Sequence, residues 1–289
     1  MTSTSTALFT RANLNAILLR NANCYARDET AVTTLLKKFC SEGPSKLCVI
    51  SDFDRTITTG NSTSAHGVVE AFECLGLEFR ATAEDLYQKY FAIEIDPYLT
   101  VEEKLPHMRM WYKLNHENMI NNAVLTKSHI YDQALSPAVE FREGSKSFLH
   151  RCESAKVPVL VFSAGLKDVI VKILNEEKVV VDEVVSNEMI FSESPPHELI
   201  GFSPNLMHMY NKDLTMATNT CPDRPNCILI GDGVGDVTMS NKEHTLRLGF
   251  LNNDLDSNLA EYLEKFDVVV SGPQADFSLL SCILDEIGC

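Results

Sequence analysis

Lys46-Leu47-Cys48-Val49-Ile50-Ser51-Asp52-Phe53-Asp54-Arg55-Thr56 is the pivot of the sequence. Leu47 to Ile50 is apolar throughout, as in a strand covered on both faces, and the run empties into two carboxylates spaced i and i+2. Both can face one crevice if the chain turns there. Outward from this stretch, four more short apolar runs occupy residues 157–162, 227–231, 246–250 and 267–270. Helical stretches lie between most of them, at 166–177, 255–266 and 275–287. An earlier helix starts at Asp28, which suits an N-cap, and stops before Gly43-Pro44. Strands alternating with helices predict an α/β fold, a Rossmann-like parallel sheet with helices on both faces.

Residues 58–155 break the alternation. They read as almost entirely helical, and Thr100 with Glu103 forms a capping box before a long helix that contains Pro106. A helical cap domain inserted after the first core strand is expected. The expected division is an extension at 1–27, a core domain at 28–57 and 156–289, and the cap at 58–155. The extension carries Arg11, Arg20 and Arg27 and no acid, a composition found in organellar transit peptides. The favoured reading is a cytoplasmic chain with a short helix around 14–19.

Bulk properties exclude several classes. The formal net charge of -15 repels a phosphate backbone, so nucleic acid is not an expected partner. No apolar run reaches the roughly 18 residues that span a bilayer. Nine cysteines occur with no C-x-x-C pair, and Cys48 and Cys227 sit inside strand-like runs. Reduced, buried thiols follow, rather than a disulfide framework.

The chemistry gathers where the strands end, the usual ligand side of an open α/β sheet. Asp52, Asp54 and Thr56 follow the first run. Ser163-Ala164-Gly165 follows the second and is expected to open a helix whose first amides can hold phosphate. Lys212 lies in a segment without clear periodicity. Asp232 and Asp236 follow the run at 227–231. The glycines at 231, 233 and 235 do not make a dinucleotide fingerprint, because Asp236 stands where that motif needs glycine or alanine. Each motif alone is weak; their order and placement are not.

This constellation resembles the haloacid dehalogenase-like phosphatase superfamily. The resemblance implies Mg²⁺ held by Asp52, the backbone carbonyl of Asp54 and Asp232, with Asp236 in support. Oxygen ligands suit that ion. It further implies that Asp52 attacks phosphorus, that Asp54 serves as general acid and then base, and that Ser163, the Ala164 amide and Lys212 bind phosphate. The run from Tyr90 to Lys104, with Trp111-Tyr112 and His116, is similar to the cap of the cytosolic pyrimidine 5'-nucleotidase family. That likeness covers about residues 28 to 287. It implies a nucleoside 5'-monophosphate as the small-molecule partner: CMP, UMP or, in one branch, 7-methyl-GMP. In that family the glutamate matching Glu94 contacts the base together with a serine, where this chain has Asn115.

From the residues alone, Glu94 can accept from an exocyclic amine such as cytosine N4. Trp111 and Asn115, one helical turn apart, can face one pocket. His66, His107, His129 and His150 read as surface or packing residues. Two other readings stay open: a phosphatase for another small phosphometabolite, and a non-catalytic binding protein on this fold.

Overall fold

The computed structural model describes residues 23–94, 96, 98–122, 124–217 and 221–289. The expected helix around 14–19 and most of the expected extension lie outside them. Asp28 caps the first helix, α1 (Glu29–Glu42), accepting from the amides of Thr30 and Ala31, and α1 stops at Gly43 with φ 73. The central strands are β2 (Leu47–Ser51), β3 (Val159–Leu166) and β7 (Asn226–Gly231), and every residue of each is buried. They are flanked by β4 (Glu183–Asn187), β8 (His244–Leu251) and β9 (Val268–Ser271).

The strands form a seven-stranded sheet in the order β1-β9-β8-β7-β2-β3-β4, all parallel except β1 (Cys24–Ala26), which runs antiparallel to β9. The antiparallel edge was not expected, because a three-residue strand carries too little periodicity to read. The parallel strands follow the doubly wound order, and their switch point falls between β2 and β7, where a ligand crevice opens. Successive side chains of β2 alternate between faces. Val49 joins a cluster with Phe148, Ile228 and Leu284, while Cys48 and Ile50 join one with Leu229, Met239 and Phe266. The first face is covered by α1, by α7 (Lys167–Glu176) and by α9 (Ser278–Ile287); the second by α8 (Leu255–Lys265). Fully burying each such side chain contributes roughly 1.5–3 kcal/mol.

Between β2 and β3 lie α2 (Ala65–Glu70), α3 (Leu77–Glu94), α4 (Val101–Asn122), α5 (Lys127–Tyr131) and α6 (Ser145–Ser154). The capping box before α4 forms: Thr100 N donates to Glu103 at 2.8 Å and Glu103 N to Thr100 Oγ1 at 3.3 Å. Asn118 ties α4 to α3 through Phe79 O at 3.0 Å. An antiparallel bridge between Thr58 and Phe141 sets the two ends of the insertion side by side, and Phe148 and Leu149 of α6 pack into the main core. A hairpin of β5 (Met189–Phe191) and β6 (Leu199–Phe202) reaches across to the insertion. Leu199 N donates to Leu125 O at 2.7 Å, and Phe202 stacks on His116 at 3.8 Å. Among the described residues, no helix is long and apolar enough to cross a membrane.

Candidate active site

Asp52 emerges from β2 with its amide bonded to Ile230 O of β7 at 2.9 Å, so the switch point itself positions it. Asp236 belongs to the 3₁₀ turn after β7 (Val234–Met239) and folds back on that turn. Its Oδ2 accepts from the amides of Asp232 and Gly233 at 3.0 and 2.9 Å. Gly231 leaves room for this, since a Cβ there would collide with the Asp236 carboxylate. Lys212 sits in the loop before β7, as its lack of periodicity implies, and is 4% exposed. Its Nζ donates to Asp52 Oδ1 and Asp236 Oδ1, both at 2.7 Å.

Asp52, Asp232 and Asp236 each offer an oxygen within 4.8 Å of the others. Asp236 has both oxygens engaged, whereas among the described residues Lys212 engages only Oδ1 of Asp52, and the bonds donated to the Asp232 carboxylate are long, from Thr56 at 3.4 Å and Asn252 at 3.3 Å. Asp52 and Asp232 are therefore the side chains with oxygens to spare, and Asp236 serves as their buttress. A hard divalent cation fits this all-oxygen set. The charges call for one. Burial, with Asp236 and Asp232 close by, holds the Asp52 carboxyl well above its usual range against the pull of Lys212. Burial and Asp236 push Asp232 up to about 6. Burial works against the Lys212 charge, but Asp236 and Asp52 hold its pKa above that of an ordinary lysine.

Asp54 stands apart from that cluster. Its Oδ1 accepts from Ala65 N at 2.9 Å, at the start of α2. Burial first, and then the Asp52 charge, push its carboxyl up to about 7. A carboxyl held there can give and take a proton near neutral pH. Gly165 makes a close approach possible: a Cβ on it would lie 3.0 Å from Asp54 Oδ2 and 3.2 Å from Ser163 Oγ. Ser163, Ala164 and Gly165 lie within β3 and not at a helix start, which corrects the expectation above. The pairing with β4 shifts register between Phe162 and Leu166. Asn187 Nδ2 donates to Ala164 O at 2.8 Å and Ser186 Oγ to Gly165 O at 2.8 Å, holding the strand past the point where apolar patterning ends.

At the other side of the crevice, Glu94 closes α3, its backbone oxygen accepting from Lys104 Nζ at 2.8 Å. Burial raises the Glu94 pKa against the charges of Arg55 and Lys104. Trp111 stacks on Tyr90 at 6.1 Å, and its buried Nε1 has no hydrogen-bond partner among the described residues. Half-buried Asn115 lies one turn further along α4.

Several residues hold positions at the site that the sequence did not assign to them. Tyr112 is half-buried; burial and then the Glu94 charge raise its pKa, with Asp54 and Asp52 adding to it against Lys212. The cap likeness included Tyr112 but gave it no role. His66 packs edge-on against Tyr112 at 5.6 Å and stacks on His116 at 5.8 Å. Burial lowers the pKa of His66 to about 4 and that of His116 to about 3, so both are neutral at physiological pH. Arg142 is 1% exposed and holds the loop after β2 from below, donating to Thr56 O at 2.9 Å, Arg55 O at 2.6 Å and Asn252 Oδ1 at 2.5 Å. Nothing in its local sequence marks it.

The family model for pyrimidine 5'-nucleotidase (UMPH-1) matches residues 51–287. The 7-methylguanosine phosphate-specific 5'-nucleotidase of Mus musculus is 30% identical over 268 residues, 87% of this chain and 88% of the relative. The crystal structure of cytosolic 5'-nucleotidase IIIB bound to cytidine superposes with a TM-score of 0.83 at 29% identity, covering 95% of this chain and 96% of that one. A probable phosphoserine phosphatase from Vibrio cholerae, 13% identical with a TM-score of 0.54 over 85% of this chain and 66% of its own, shares the fold. The chain belongs to the pyrimidine 5'-nucleotidase family, a 5'-nucleotidase on a haloacid dehalogenase-like α/β fold.

Proposed function

We propose that this 5'-nucleotidase hydrolyses pyrimidine nucleoside 5'-monophosphates, or 7-methyl-GMP, in two steps at Asp52, with Mg²⁺ held by Asp52, the Asp54 carbonyl and Asp232. The observation that carries the reading is the pairing of Asp52 and Asp236 through Lys212 at the sheet's switch point. Mg²⁺ supplies charge neutralisation for an anionic nucleophile meeting a dianionic ester. Lys212 orients the Asp52 carboxylate, so that one of its oxygens would hold the ion while the other attacks phosphorus. Ser163 and the Ala164 amide hold phosphoryl oxygens on the β3 side. Asp54 gives its proton to the departing 5'-oxygen, then takes one from the water that hydrolyses the aspartyl-phosphate. The helical insertion, taken as residues 58–155, acts as the cap that carries base selection.

Turnover should require Mg²⁺ and disappear in a chelator, while Mn²⁺ restores it, since both ions accept oxygen ligands. Ca²⁺ should inhibit, because its larger and looser shell misaligns Asp52 with phosphorus. Full activity in a chelator would remove Asp232 from its role.

Glu94 is assigned to the base. A carboxylate favours bases that donate, such as cytosine through its amine or 7-methylguanine through N1 and N2, so CMP should outperform UMP. Glu94→Gln should lower kcat/KM for CMP by about tenfold or more, the cost of leaving a buried donor poorly paired. Hydrolysis of p-nitrophenyl phosphate should stay nearly unchanged. If CMP, UMP, 7-methyl-GMP and the aryl ester all fall together, Glu94 is structural and the assignment is wrong. Relatives named for 7-methylguanosine phosphate and for bound cytidine support both branches.

A further inference from the structure

Arg55 follows Asp54 at the point where the chain turns out of β2. Its φ is 58, in the left-handed region, which glycine enters freely and residues with a Cβ enter at a cost. Three hydrogen bonds hold it there. Arg55 N donates to Thr58 Oγ1 at 2.8 Å, and Arg55 O accepts from Arg142 Nη2 at 2.6 Å and Asn252 Nδ2 at 3.1 Å. All of them pin the backbone. Among the described residues the guanidinium has no hydrogen bond or ion pair, and the side chain is exposed. A glycine would satisfy that turn with less strain, so the turn gives no reason for a long cationic side chain.

The surroundings give one. Arg55 directly follows Asp54, and Asn252 Nδ2, which donates to Arg55 O at 3.1 Å, also donates to Asp232 Oδ2 at 3.3 Å, so the turn that carries the guanidinium is tied to both carboxylates; its charge also reaches Glu94. Those three carboxylates bracket the path between the phosphate end of the site and the base end. Lys212 lies at the same site but is committed, its Nζ shared between Asp52 and Asp236. A phosphate monoester dianion must enter among four aspartates in a chain of formal net charge -15. Beyond the ion assigned to Asp52 and Asp232, an entering dianion gains from positive charge that the carboxylates do not already share.

We propose that Arg55 is a substrate-contact residue that binds the phosphoryl oxygens of the entering monoester, leaving the field of Glu94 and Asp232 to do so. Its planar fork can present two N–H groups to one phosphate. A backbone fixed at three points confines the base of the side chain while its tip swings. The inference rests on reading the site as a phosphohydrolase, but it does not depend on which base the cap selects.

Two measurements on the full chain with Mg²⁺ test it: calorimetric titration with inorganic phosphate, and KM with kcat for p-nitrophenyl phosphate and CMP. The parent is compared with Arg55→Gln, Arg55→Lys and Arg55→Gly, the last suiting the φ 58 backbone should the glutamine variant fold poorly. Arg55→Gln and Arg55→Gly should weaken phosphate about tenfold or more, as expected for loss of a charge-assisted pair. They should raise KM for both esters by a similar factor, with kcat changing less. Arg55→Lys should recover part of the loss, and the salt dependence of KM should flatten in the uncharged variants. Phosphate affinity within twofold of the parent in a folded uncharged variant overturns the proposal. So does a KM rise confined to CMP, which would make Arg55 a partner of Glu94. A parent chain that binds phosphate through Arg55 but shows no base preference would sink the base assignment alone.

Discussion

Asp52→Asn should abolish turnover. The amide is neither a nucleophile toward phosphorus nor an anionic ligand. It also breaks the arrangement around Lys212, which would keep Asp236 but lose its second carboxylate at 2.7 Å. Removing a covalent nucleophile costs several orders of magnitude at comparable sites. The fold should survive, because Asp52 is held chiefly through its backbone amide on β7. Substitution also removes a buried carboxylate whose charged form is disfavoured by burial. Initial rates on CMP, with a melting curve as control, check this. A folded variant retaining more than roughly a tenth of the parent rate contradicts covalent catalysis at this position.

Asp54→Asn should split substrates by leaving group. The carboxyl lies off the carboxylate cluster, anchored to Ala65 N and pushed up to about 7, the range of a proton donor at neutral pH. The ligand assigned to the metal is its backbone oxygen, so metal affinity should hold. A ribose 5'-alkoxide needs the proton and an aryl oxide needs little help. CMP hydrolysis should therefore fall by about 10²-fold or more, the usual scale of general acid–base catalysis, while p-nitrophenyl phosphate loses far less. Equal losses on both would argue against Asp54 as the general acid.

Most of the sheet was legible because parallel strands buried on two faces are continuous apolar runs, as β2, β3 and β7 are. The order of carboxylates, lysine and serine along the chain then placed the chemistry at the strand ends. Other features were not legible, among them β4 and the β5–β6 hairpin, which none of the expected apolar runs covers. β1 is three residues long and forms the edge of the sheet, paired with β9. Ser163 to Gly165 read as a helix start because polarity and glycine interrupt the run, but Asn187 and Ser186 extend the strand by side-chain bonds from β4. Arg142, Asn252 and Tyr112 act through contacts distant in sequence, and no local periodicity encodes those. Arg55 was in plain view within the first motif, yet its significance depends on a backbone φ and on Glu94 lying across the crevice.

Phosphate release from a panel of esters, with Mg²⁺ and with a chelator, tests the central claim most directly. The panel holds CMP, UMP, 7-methyl-GMP, AMP, phosphoserine and p-nitrophenyl phosphate. CMP or 7-methyl-GMP should show the highest kcat/KM, exceeding phosphoserine by about 10²-fold or more, since contacts made only by the base differentiate the transition states. Every rate should vanish in the chelator. Phosphoserine as the best substrate, or no Mg²⁺-dependent release from any nucleotide, would contradict the account.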